Sequence, residues 1–580
     1  MDRCPPIVNG KPMRQSSCDV LVVGAGAGGL TAAVTAAHAG LKVIVVEKSS
    51  WFGGSTALSG GWIWVPCNPV AAAEGHDDSL PRAEQYIRHR TGAYFQADQV
   101  RSYLENGPEM VSFLHEKTAV RFMADHTFAD YFPDDPGASK GGRSLVAAPF
   151  DGRLLGDRLK ELRPPLKQQT FLGMLVGSGA HLKHFLNATR SVRLAAIVLR
   201  SLAGYGFDLL RYGRGGRLYN GNALMGRLAR AALDAGVTIL LSSPARRLEL
   251  KDGVVTGAMV EHEGRTVRVE AGRAVILASG GFPQDPELRA RYFPRQQKVS
   301  IAPEENSGDG TRMAVAAGAV IQGDALAPAY TAVFSKHRDT DGKTVLYPHF
   351  MDRAKPGIIA IDSSGRRFCN EANSYHDVAQ EMIRQGIDGT EKRAFFIADH
   401  RAARKYGLGG VRPFPMLLGP HIRSGYLTRV QDLDALAEKL KVPPDGLSDE
   451  LEQFNRHAAS GKDPKFHRGE SAYNAFQGDY EHKPNPCLAP LVTPPFYAVE
   501  IHAGDFGPFV GLRTNPEAQV LDAAGNPIPH LFAAGNDAAN VFSGACLGGG
   551  ITIGPAMVFG YVAGKSASGG QSVGSVDPRI

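Results

Sequence analysis

The chain has 580 residues, of which 43% are hydrophobic and 21% charged, and its formal net charge is +6 at neutral pH. This length predicts two or more lobes, and the composition is that of a globular protein. The small net charge and the lack of a Lys/Arg block with interleaved aromatic residues argue against a nucleic-acid partner. The six cysteines are scattered without a C-x-x-C pair, so we expect no disulfide framework, no bound metal and a reducing compartment.

The sequence contains no run of about 18 uninterrupted apolar residues, so no transmembrane helix is predicted. Residues 1–17 lack the apolar core of a signal peptide, and we expect a cytoplasmic protein. At about 157–215, however, basic residues are spread among apolar ones, and Leu194–Leu202 has the pattern of an amphipathic helix. Two interpretations stay open: an apolar, basic surface for peripheral membrane contact or for covering an apolar substrate, and a solvated pair of cap helices.

The most informative motif is a strand, glycine loop, helix and strand near the N-terminus. Asp19–Val23 predicts a buried strand, Leu30–Ala39 a helix and Lys42–Val46 a second strand. The loop between the first strand and the helix carries a G-x-G-x-x-G frame, which suits a tight turn, close approach of a pyrophosphate and helix–strand packing. The second strand ends in an acid at about the spacing expected for binding ribose hydroxyls. The predicted dinucleotide-binding residues are Gly24, Gly26, Ala27, Gly28, Gly29 and Glu47.

The residues after this motif favour FAD over NAD. A nicotinamide-dependent enzyme would continue into another strand–helix unit, whereas this chain enters a Gly- and Ser-rich loop at 48–61. Backbone N–H groups and small hydroxyls in such a loop suit a long cofactor that lies across it. A glycine run at 548–550 leads into a C-terminal helix, whose positive dipole end would stabilise a reduced flavin ring. The further predicted cofactor contacts are Lys48, Gly54, Ser55, Thr56, Ser59, Gly60, Gly61, Ala278, Ser279, Gly280, Gly535, Asn536, Gly550 and Ile551.

The predicted fold class is α/β. A Rossmann-like FAD-binding domain is assembled from discontinuous segments, and an α+β substrate or capping domain is inserted between them. We assign residues 1–285 to the FAD-binding domain, with the basic insertion at 157–215, residues 286–492 to the substrate domain, and residues 493–580 to the return into the FAD-binding domain.

Several motifs together carry a resemblance to a known family. Besides the N-terminal fingerprint they are Ser-Gly-Gly-x-x-x-x-Pro at 59–66, Arg-Phe-x-Asn-Glu at 367–371, Ala-Ala-Gly-Asn at 533–536 and Gly-Pro-Ala-Met-x-Phe-Gly at 554–560. Over nearly its full length the chain resembles the fumarate reductase and succinate dehydrogenase flavoproteins, and within them the 3-ketosteroid Δ1-dehydrogenases. The resemblance implies non-covalent FAD, because residues 51–61 contain no histidine where some relatives attach flavin covalently.

The resemblance also separates two substrate classes. Fumarate-type reductases bind a dicarboxylate with an arginine four positions after the Asn-Glu glutamate, another before the last glycine run, and a histidine after the Phe-Tyr-Ala strand. Here these positions hold Tyr375, Cys546 and Phe506–Gly507. A doubly anionic substrate would lack its cations, so the resemblance implies a neutral carbonyl compound instead.

Similarity to the ketosteroid dehydrogenases implies roles for four residues. Tyr375 matches their tyrosine after Asn-Glu and would remove an α-proton, and Tyr131 matches a second tyrosine that would stabilise the resulting phenolate. Gly550 keeps the family's glycine, whose N–H would bind the substrate carbonyl oxygen. Cys546 departs from the pattern, because a tyrosine that helps to bind this oxygen normally stands there, and a thiol is a weaker donor. The reserve candidates for this donor are Tyr497 and His502.

The function expected from these residues is FAD-dependent α,β-desaturation (1,2-dehydrogenation) of a cyclic ketone. A 3-ketosteroid is the first substrate class and a smaller cyclic ketone the alternative. A flavin ene-reductase that runs in the opposite direction stays open, since the supply of reduced flavin and of acceptor sets the direction. An electron-transfer flavoprotein subunit is the third hypothesis. The physiological electron acceptor is unknown, and we expect a quinone, or a dye in vitro.

Overall fold

The computed structural model describes residues 15–177, 192–338, 342, 344–413 and 416–569. In its larger sheet, adjacent strands pair in parallel, and further strands join this parallel set by antiparallel pairing. In spatial order the parallel strands are Thr238–Leu240, Val43–Val46, Gln15–Val23, Arg265–Leu277 and Pro527–Ala533. The antiparallel strands are Ala245–Lys251, Val254–His262 and Gln519–Leu521. This is the predicted Rossmann-like arrangement, assembled from segments far apart in the chain.

One face of this sheet is covered by helices that pack through glycines. The helix after the first strand, Ala27–His38, lies against the C-terminal helix Ile553–Ala567. A Cβ added to Gly560 would lie 2.4 Å from the carbonyl oxygen of Gly28, so the two helices approach as closely as backbone allows. The other long helices of the domain are Leu80–Thr91, Ala97–Lys117 and Asn220–Asp234.

A second sheet forms the inserted domain and is buried on both faces. Its main strands run antiparallel, in the order Thr344–Pro348, Ala329–Arg338, Phe496–Pro508, Ala394–Ala398 and Ile358–Asp362. Two short strands, Val299–Ser300 and Thr428–Val430, also pair with Phe496–Pro508. Alternate residues of the strands pack on the helix Tyr375–Arg384 on one face and on two helices on the other, which are Leu433–Leu440 and Pro444–Ala459. The predicted α+β insertion is confirmed as a fold.

Sheet pairing shifts both expected domain boundaries. Phe496–Pro508 was expected to begin the return to the FAD-binding domain at 493, but it is the central strand of the second sheet. At the other end, the helix Asp309–Ala316 packs into the core of the larger sheet, and Ile321–Gln322 pairs with Gly511–Leu512. The second sheet is therefore formed mainly by residues between Ala329 and Pro508. An apolar run in a sequence identifies a strand, but it does not identify the strand with which it pairs.

The basic segment contains a helix that is longer than predicted. The helix spans Val192–Tyr212, and a short hairpin of Thr170–Phe171 with Met174–Leu175 precedes it. Residues 178–191, which include two of the basic residues, lie outside the described residues. Leu199, Phe207 and Leu210 on the helix are 69%, 63% and 91% exposed. Across the described ranges, no helix combines the length and the apolar character needed to cross a bilayer.

Candidate active site

The parallel strands of the larger sheet end along one edge, and glycine turns follow them there. Gly24 has φ +110°, and a Cβ on it would lie 2.2 Å from the carbonyl oxygen of Ala278. A Cβ on Gly29 would lie 2.0 Å from the carbonyl oxygen of Gly24. A Cβ on Gly26, by contrast, would meet no atom within 4 Å. Two of the three fingerprint glycines therefore serve chain packing, and Gly26 borders open space that a pyrophosphate fits.

This open space lies at the N-terminus of a helix. The helix Ala27–His38 begins after Gly26 without a side-chain cap, so its first N–H groups and its positive dipole end suit an anion. Glu47 lies at the rim, where its carboxylate accepts hydrogen bonds from the N–H groups of Ala25 (2.9 Å) and Ser49 (2.8 Å). Burial raises the pKa of Glu47 in spite of these hydrogen bonds. A carboxylate held in this way fits the ribose hydroxyls of a bound dinucleotide.

The second half of the cofactor site is held by an aspartate that sequence reasoning missed. Asp537 accepts hydrogen bonds from the backbone N–H and the hydroxyl of Ser279, the latter at 3.0 Å, and from the N–H of Gly281 at 3.3 Å. Burial raises its pKa to about 6. Asp537 thus ties the turn at 278–281 to the turn that contains Gly535 and Asn536. Its only sequence signal was its position directly after the Ala-Gly-Asn motif.

The Gly- and Ser-rich loop folds back onto the first glycine turn. Gly53 donates its N–H to the carbonyl of Ala25 at 2.9 Å. Asn306, which sequence reasoning also missed, donates its side-chain amide to the hydroxyl of Ser55 at 3.1 Å. Lys48 makes a salt bridge to Asp309 at 2.8 Å, which ties the strand end to the inserted chain. The role of Lys48 as a cofactor contact stays a prediction.

Other predicted cofactor residues shape the loop itself. The hydroxyl of Ser59 donates to the carbonyl of Thr56 at 2.7 Å and accepts the N–H of Gly61 at 3.0 Å. Gly61 has φ +72°, and its Cβ would lie 2.5 Å from the backbone carbon of Asn220. These residues stabilise a compact loop beside the cradle for the dinucleotide.

Three tyrosine hydroxyls meet where the inserted domain faces the FAD-binding domain. The hydroxyl of Tyr131 donates to that of Tyr375 at 3.4 Å, and the hydroxyl of Tyr330 forms a second, shorter hydrogen bond with Tyr375. Cys546 is buried in the same hydrophobic cluster as Tyr131 and Tyr330, and Tyr375 packs against this cluster. The structure therefore brings together the predicted residues Tyr131, Tyr375 and Cys546.

Tyr330 is the main residue of this cluster that sequence reasoning missed. It lies near the start of the strand Ala329–Arg338, next to the pairing of that strand with Phe496–Pro508. No motif surrounds it. Its place beside Tyr375 follows from strand register and helix packing, neither of which a single sequence reveals.

The phenols of Tyr131 and Tyr330 are buried, the side chain of Tyr375 is half-buried, and all three are protonated at neutral pH. Tyr131 and Tyr330 are 5% and 7% exposed, and burial raises the pKa of both well above the usual value. Burial also raises the pKa of Tyr375, although the hydrogen bonds with the other two phenols counteract part of the rise. Burial likewise raises the pKa of the Cys546 thiol well above its ordinary value. A base in this cluster therefore has to pass on its own proton before or while it accepts another.

The loop that carries Tyr131 is fixed from both sides. The carboxylate of Asp130 accepts the indole N–H of Trp64 at 2.8 Å and a guanidinium N–H of Arg143 at 2.9 Å. The backbone N–H of Tyr131 donates to the carbonyl of Leu547 at 2.9 Å. The loop is thereby joined to the segment between Cys546 and the glycine run at 548–550, and the two catalytic candidates Tyr131 and Cys546 are held in one unit.

Aromatic rings surround the tyrosine hydroxyls. On one side the rings of Phe350 and Phe506 lie 5.1 Å and 5.9 Å from that of Tyr375. On the other side, the ring of Phe128 lies next to that of Tyr131. The ring of Phe476 lies 5.0 Å from the ring of Phe128, and Phe476 is 40% exposed at the surface. Such walls suit an uncharged ring-shaped molecule better than a dianion.

The remaining site predictions have different outcomes. Gly550 has φ +105°, and a Cβ on it would lie 2.5 Å from the Cα of Ile63, so only glycine fits. Its N–H as a carbonyl donor stays a prediction. The two reserve candidates lie elsewhere: Tyr497 is hydrogen-bonded to His400 at 3.1 Å in the core of the inserted domain. Burial lowers the pKa of His502 to about 4, and this residue pairs with Phe334 across the second sheet.

Comparison with known proteins agrees with this geometry. The sequence pattern of the FAD binding domain family matches residues 19–553. The fold matches 3-ketosteroid Δ1-dehydrogenase from Sterolibacterium denitrificans, solved with 1,4-androstadiene-3,17-dione, with a TM-score of 0.88 and 33% identity over 96% of this chain and 100% of that chain. The chain belongs to the FAD binding domain family, as a 3-ketosteroid Δ1-dehydrogenase-like flavoprotein. FAD is its cofactor, as predicted, and the residues of the cradle fit it.

Two curated relatives span almost the whole flavoprotein. The chain is 40% identical over 562 residues to 4-oxocyclohex-2-ene-1-carboxylate 5-dehydrogenase of Sinomonas cyclohexanicum, and the aligned region covers 96% of this chain and 95% of the relative. The chain is also 35% identical over 567 residues to 3-oxosteroid 1-dehydrogenase of Mycobacterium tuberculosis, and the aligned region covers 94% of this chain and 97% of the relative. A flavocytochrome c3 fumarate reductase shares the fold, with a TM-score of 0.62 at 21% identity. The flavoprotein is thus an FAD oxidoreductase related to dehydrogenases of cyclic ketones.

Proposed function

We propose that this flavoprotein catalyses the α,β-desaturation of a cyclic ketone. The observation that carries the proposal is the hydroxyl of Tyr375, held between the hydroxyls of Tyr131 and Tyr330 in an aromatic pocket. Tyrosine and cysteine occupy the positions where a dicarboxylate reductase would need arginines. When bound, FAD supplies the acceptor for the hydride that leaves the β-carbon of the ketone.

In this proposal the protein residues bind the carbonyl group and move one proton. A hydrogen bond from the N–H of Gly550, assisted by Cys546, polarises the carbonyl and makes the α-hydrogen more acidic. Tyr375 accepts this α-proton. Tyr131 and Tyr330 donate hydrogen bonds that stabilise the negative charge on the oxygen of Tyr375 whenever it lacks its proton.

Two substrate classes follow from different observations. The aromatic path from Tyr131 through Phe128 to the exposed Phe476 supports an extended apolar ketone, for which a 3-ketosteroid is our first candidate. The 40% identity to a dehydrogenase of a 4-oxocyclohexene carboxylate supports a single-ring ketone as the second. Both classes share the reaction at the carbons next to a ring carbonyl.

The helix Val192–Tyr212 supports a peripheral contact with an anionic membrane. At helical spacing Leu199, Phe207 and Leu210 share one exposed face. The exposed arginines that border this face are Arg193, Arg200 and Arg211. An apolar face with a basic rim binds the headgroup region of anionic lipids. A quinone dissolved in the membrane would then be the electron acceptor.

A turnover assay with two ketones tests the function. The purified protein is mixed with an acceptor dye and with 4-androstene-3,17-dione or 4-oxocyclohexanecarboxylate, and the products are analysed by mass spectrometry. We expect dye reduction together with a product that has lost two hydrogens. If neither this pair nor a wider set of cyclic ketones reduces the dye, the proposed function is wrong.

A further inference from the structure

A fully buried arginine lies beside the candidate base. Arg353 follows the edge strand Thr344–Pro348 of the second sheet and is 0% exposed. Its guanidinium carbon lies over the ring of Tyr375, 6.0 Å from the ring centroid. One terminal nitrogen donates to the carbonyl oxygen of Glu371 at 2.7 Å, and the other lies 3.5 Å from the hydroxyl oxygen of Tyr473. These contacts hold a cation next to Tyr375.

Within the described ranges, no salt bridge neutralises the charge of Arg353. The carboxylate of Asp352, its neighbour in the chain, lies 2.7 Å from His349. The carboxylate of Glu371 is bound by two other arginines at 2.7 Å and 3.0 Å, so Arg353 meets only the backbone carbonyl of this glutamate. The buried Nε of Arg353 has no hydrogen-bond partner among the described residues. Because a buried cation without a counter-ion is costly, a negative charge that forms nearby is stabilised by it.

We propose that Arg353 stabilises the phenolate form of Tyr375 and thereby makes this residue a base for the α-proton of the ketone. The inference rests on the proposed function, in which Tyr375 accepts that proton. Arg353 has no exposed surface through which a substrate could touch it. It is therefore a positioning residue, which acts on the reaction only through the phenol.

The placement of the guanidinium over the ring favours the ionised form. With a neutral phenol, the attraction is that of an ordinary cation–π contact. A phenolate spreads its negative charge from the oxygen into the ring, so the same guanidinium attracts it more strongly. An opposite charge at about 4–6 Å favours the charged form of a side chain in the same way. The hydrogen bonds of Tyr131 and Tyr330 to the oxygen of Tyr375 act in the same direction.

The proton transfer is balanced in atoms and charge. Tyr375 is half-buried, so its phenolic proton can pass to water before the ketone binds. The α-carbon–hydrogen bond of the ketone then breaks, the proton bonds to the phenolate oxygen, and the electron pair stays on the substrate as an enolate. Loss of a hydride from the β-carbon, for which FAD is the acceptor, converts the enolate into the neutral unsaturated ketone.

Other titratable groups face this pair. Tyr473, whose ring lies 4.7 Å from that of Tyr131, lies between Arg353 and the second phenol of the cluster. Burial raises the pKa of Tyr473 to about 12, and the charge of Arg353 counteracts part of the rise. Burial also raises the pKa of Asp377, on the helix of Tyr375, and Arg353 again counteracts part of the rise. The further groups around Tyr375 and Arg353 are Tyr131, Tyr330, Cys546, Asp352 and Lys355.

Four variants separate the charge of Arg353 from its structural contacts. Arg353→Gln removes the charge but keeps a donor, and Arg353→Met replaces the guanidinium by an apolar side chain. Arg353→Lys keeps the charge but loses the forked geometry of the donors. Arg214→Gln is the matched control, since Arg214 also donates to backbone carbonyls, those of Leu159 and Leu162, and lies outside the tyrosine cluster. FAD content and circular dichroism show which variants fold.

The experiment measures exchange of the α-hydrogens across a pH series. Holoenzyme reduced beforehand with dithionite is incubated anaerobically in D2O with 4-oxocyclohexanecarboxylate or 4-androstene-3,17-dione. Deuterium uptake is measured by NMR, and the rate without enzyme is subtracted. Uptake by the wild type should rise with pH as Tyr375 loses its proton. In the two neutral variants this rise should move to higher pH by about one unit, the lower end of the effect of a nearby opposite charge.

The rates and the other variants give further readouts. At a given pH on the rising limb, the neutral variants should exchange about three- to tenfold more slowly, because their phenolate is scarcer but more basic. Arg353→Lys should keep most of the wild-type profile, and Arg214→Gln should keep all of it. In turnover with an acceptor dye, kcat of the neutral variants should fall while KM stays at the wild-type value, since Arg353 does not touch the substrate.

The possible outcomes separate this inference from the proposed function. If the neutral variants show the pH profile of the wild type, or if they and Arg353→Lys lose activity equally without a shift of the profile, the inference is refuted although the proposed function stands. If neither neutral variant retains FAD, Arg353→Lys decides, because a shift by a full unit in spite of the retained charge refutes the inference. If the wild type neither exchanges nor desaturates these ketones, the proposed function fails, and the inference fails with it.

Discussion

Tyr131 and Tyr375 are 244 positions apart in the chain, yet their hydroxyls are joined by a hydrogen bond of 3.4 Å. Tyr131 belongs to a loop of the FAD-binding domain, and Tyr375 is the first residue of a helix in the inserted domain. The candidate catalytic group therefore exists only when the two domains are packed together. This explains why an enzyme of this size places its chemistry at the meeting point of two sheets.

Tyr330→Phe tests the role of the phenol that no sequence motif predicted. The hydroxyl of Tyr330 lowers the pKa of Tyr375 through its hydrogen bond, so its removal should raise that pKa further. A hydrogen bond to a charged group contributes about 1.5–3 kcal/mol, which corresponds to a loss of roughly 10–10² in rate. We expect kcat to fall by this factor and the limb on which activity rises with pH, as Tyr375 loses its proton, to move to higher pH, measured by dye reduction across a pH series. An unchanged kcat and pH profile would remove Tyr330 from the mechanism.

Gly26→Ala tests the position of the FAD pyrophosphate. The added methyl group meets no protein atom, so the fold should be unaffected, but it enters the space that the cofactor needs. We expect FAD to bind at least about tenfold more weakly, the equivalent of one lost charge-assisted hydrogen bond. Flavin content after gel filtration and circular dichroism measure the two effects. Gly204→Ala is the control, because its Cβ also meets no atom within 4 Å but lies on a helix away from the cradle.

Vesicle binding tests the surface of the helix Val192–Tyr212. We expect the protein to sediment with vesicles that contain anionic lipid, and Leu210→Glu to reduce the bound fraction several-fold because it places a charge on the apolar face. Raising the salt concentration should weaken binding as well, since each arginine contributes about 1 kcal/mol near an anionic surface. Val492→Glu, at an apolar position of the inserted domain that is 55% exposed, is the control. Equal binding of all three proteins would refute the membrane contact.

The sequence predicted the nucleotide-binding half better than the catalytic half. The first strand, helix and second strand lie within a few residues of their predicted bounds, because local apolar patterns and glycines determine that unit. Asp537 and Tyr330 could not be found in this way. Their functions depend on which strand ends meet and on the register between strands, and these are properties of the packed chain. For the same reason the sequence did not reveal that Phe496–Pro508 pairs within the second sheet.

The resemblance to ketosteroid dehydrogenases added what local patterns lacked. It pointed to Tyr131, Tyr375 and Cys546, which the structure brings together, although nothing in the spacing of these residues connects them. It could not say how the protein manages without a tyrosine at Cys546.

The most direct test of the central claim is anaerobic bleaching of the flavin by a cyclic ketone in the wild type and in Tyr375→Phe. We expect a ketone substrate to bleach the yellow wild-type holoenzyme and to yield the α,β-unsaturated product. Tyr375→Phe should keep its FAD but bleach about 10²–10⁴-fold more slowly, the usual contribution of a general base. Bleaching of Tyr375→Phe at the wild-type rate would contradict the account.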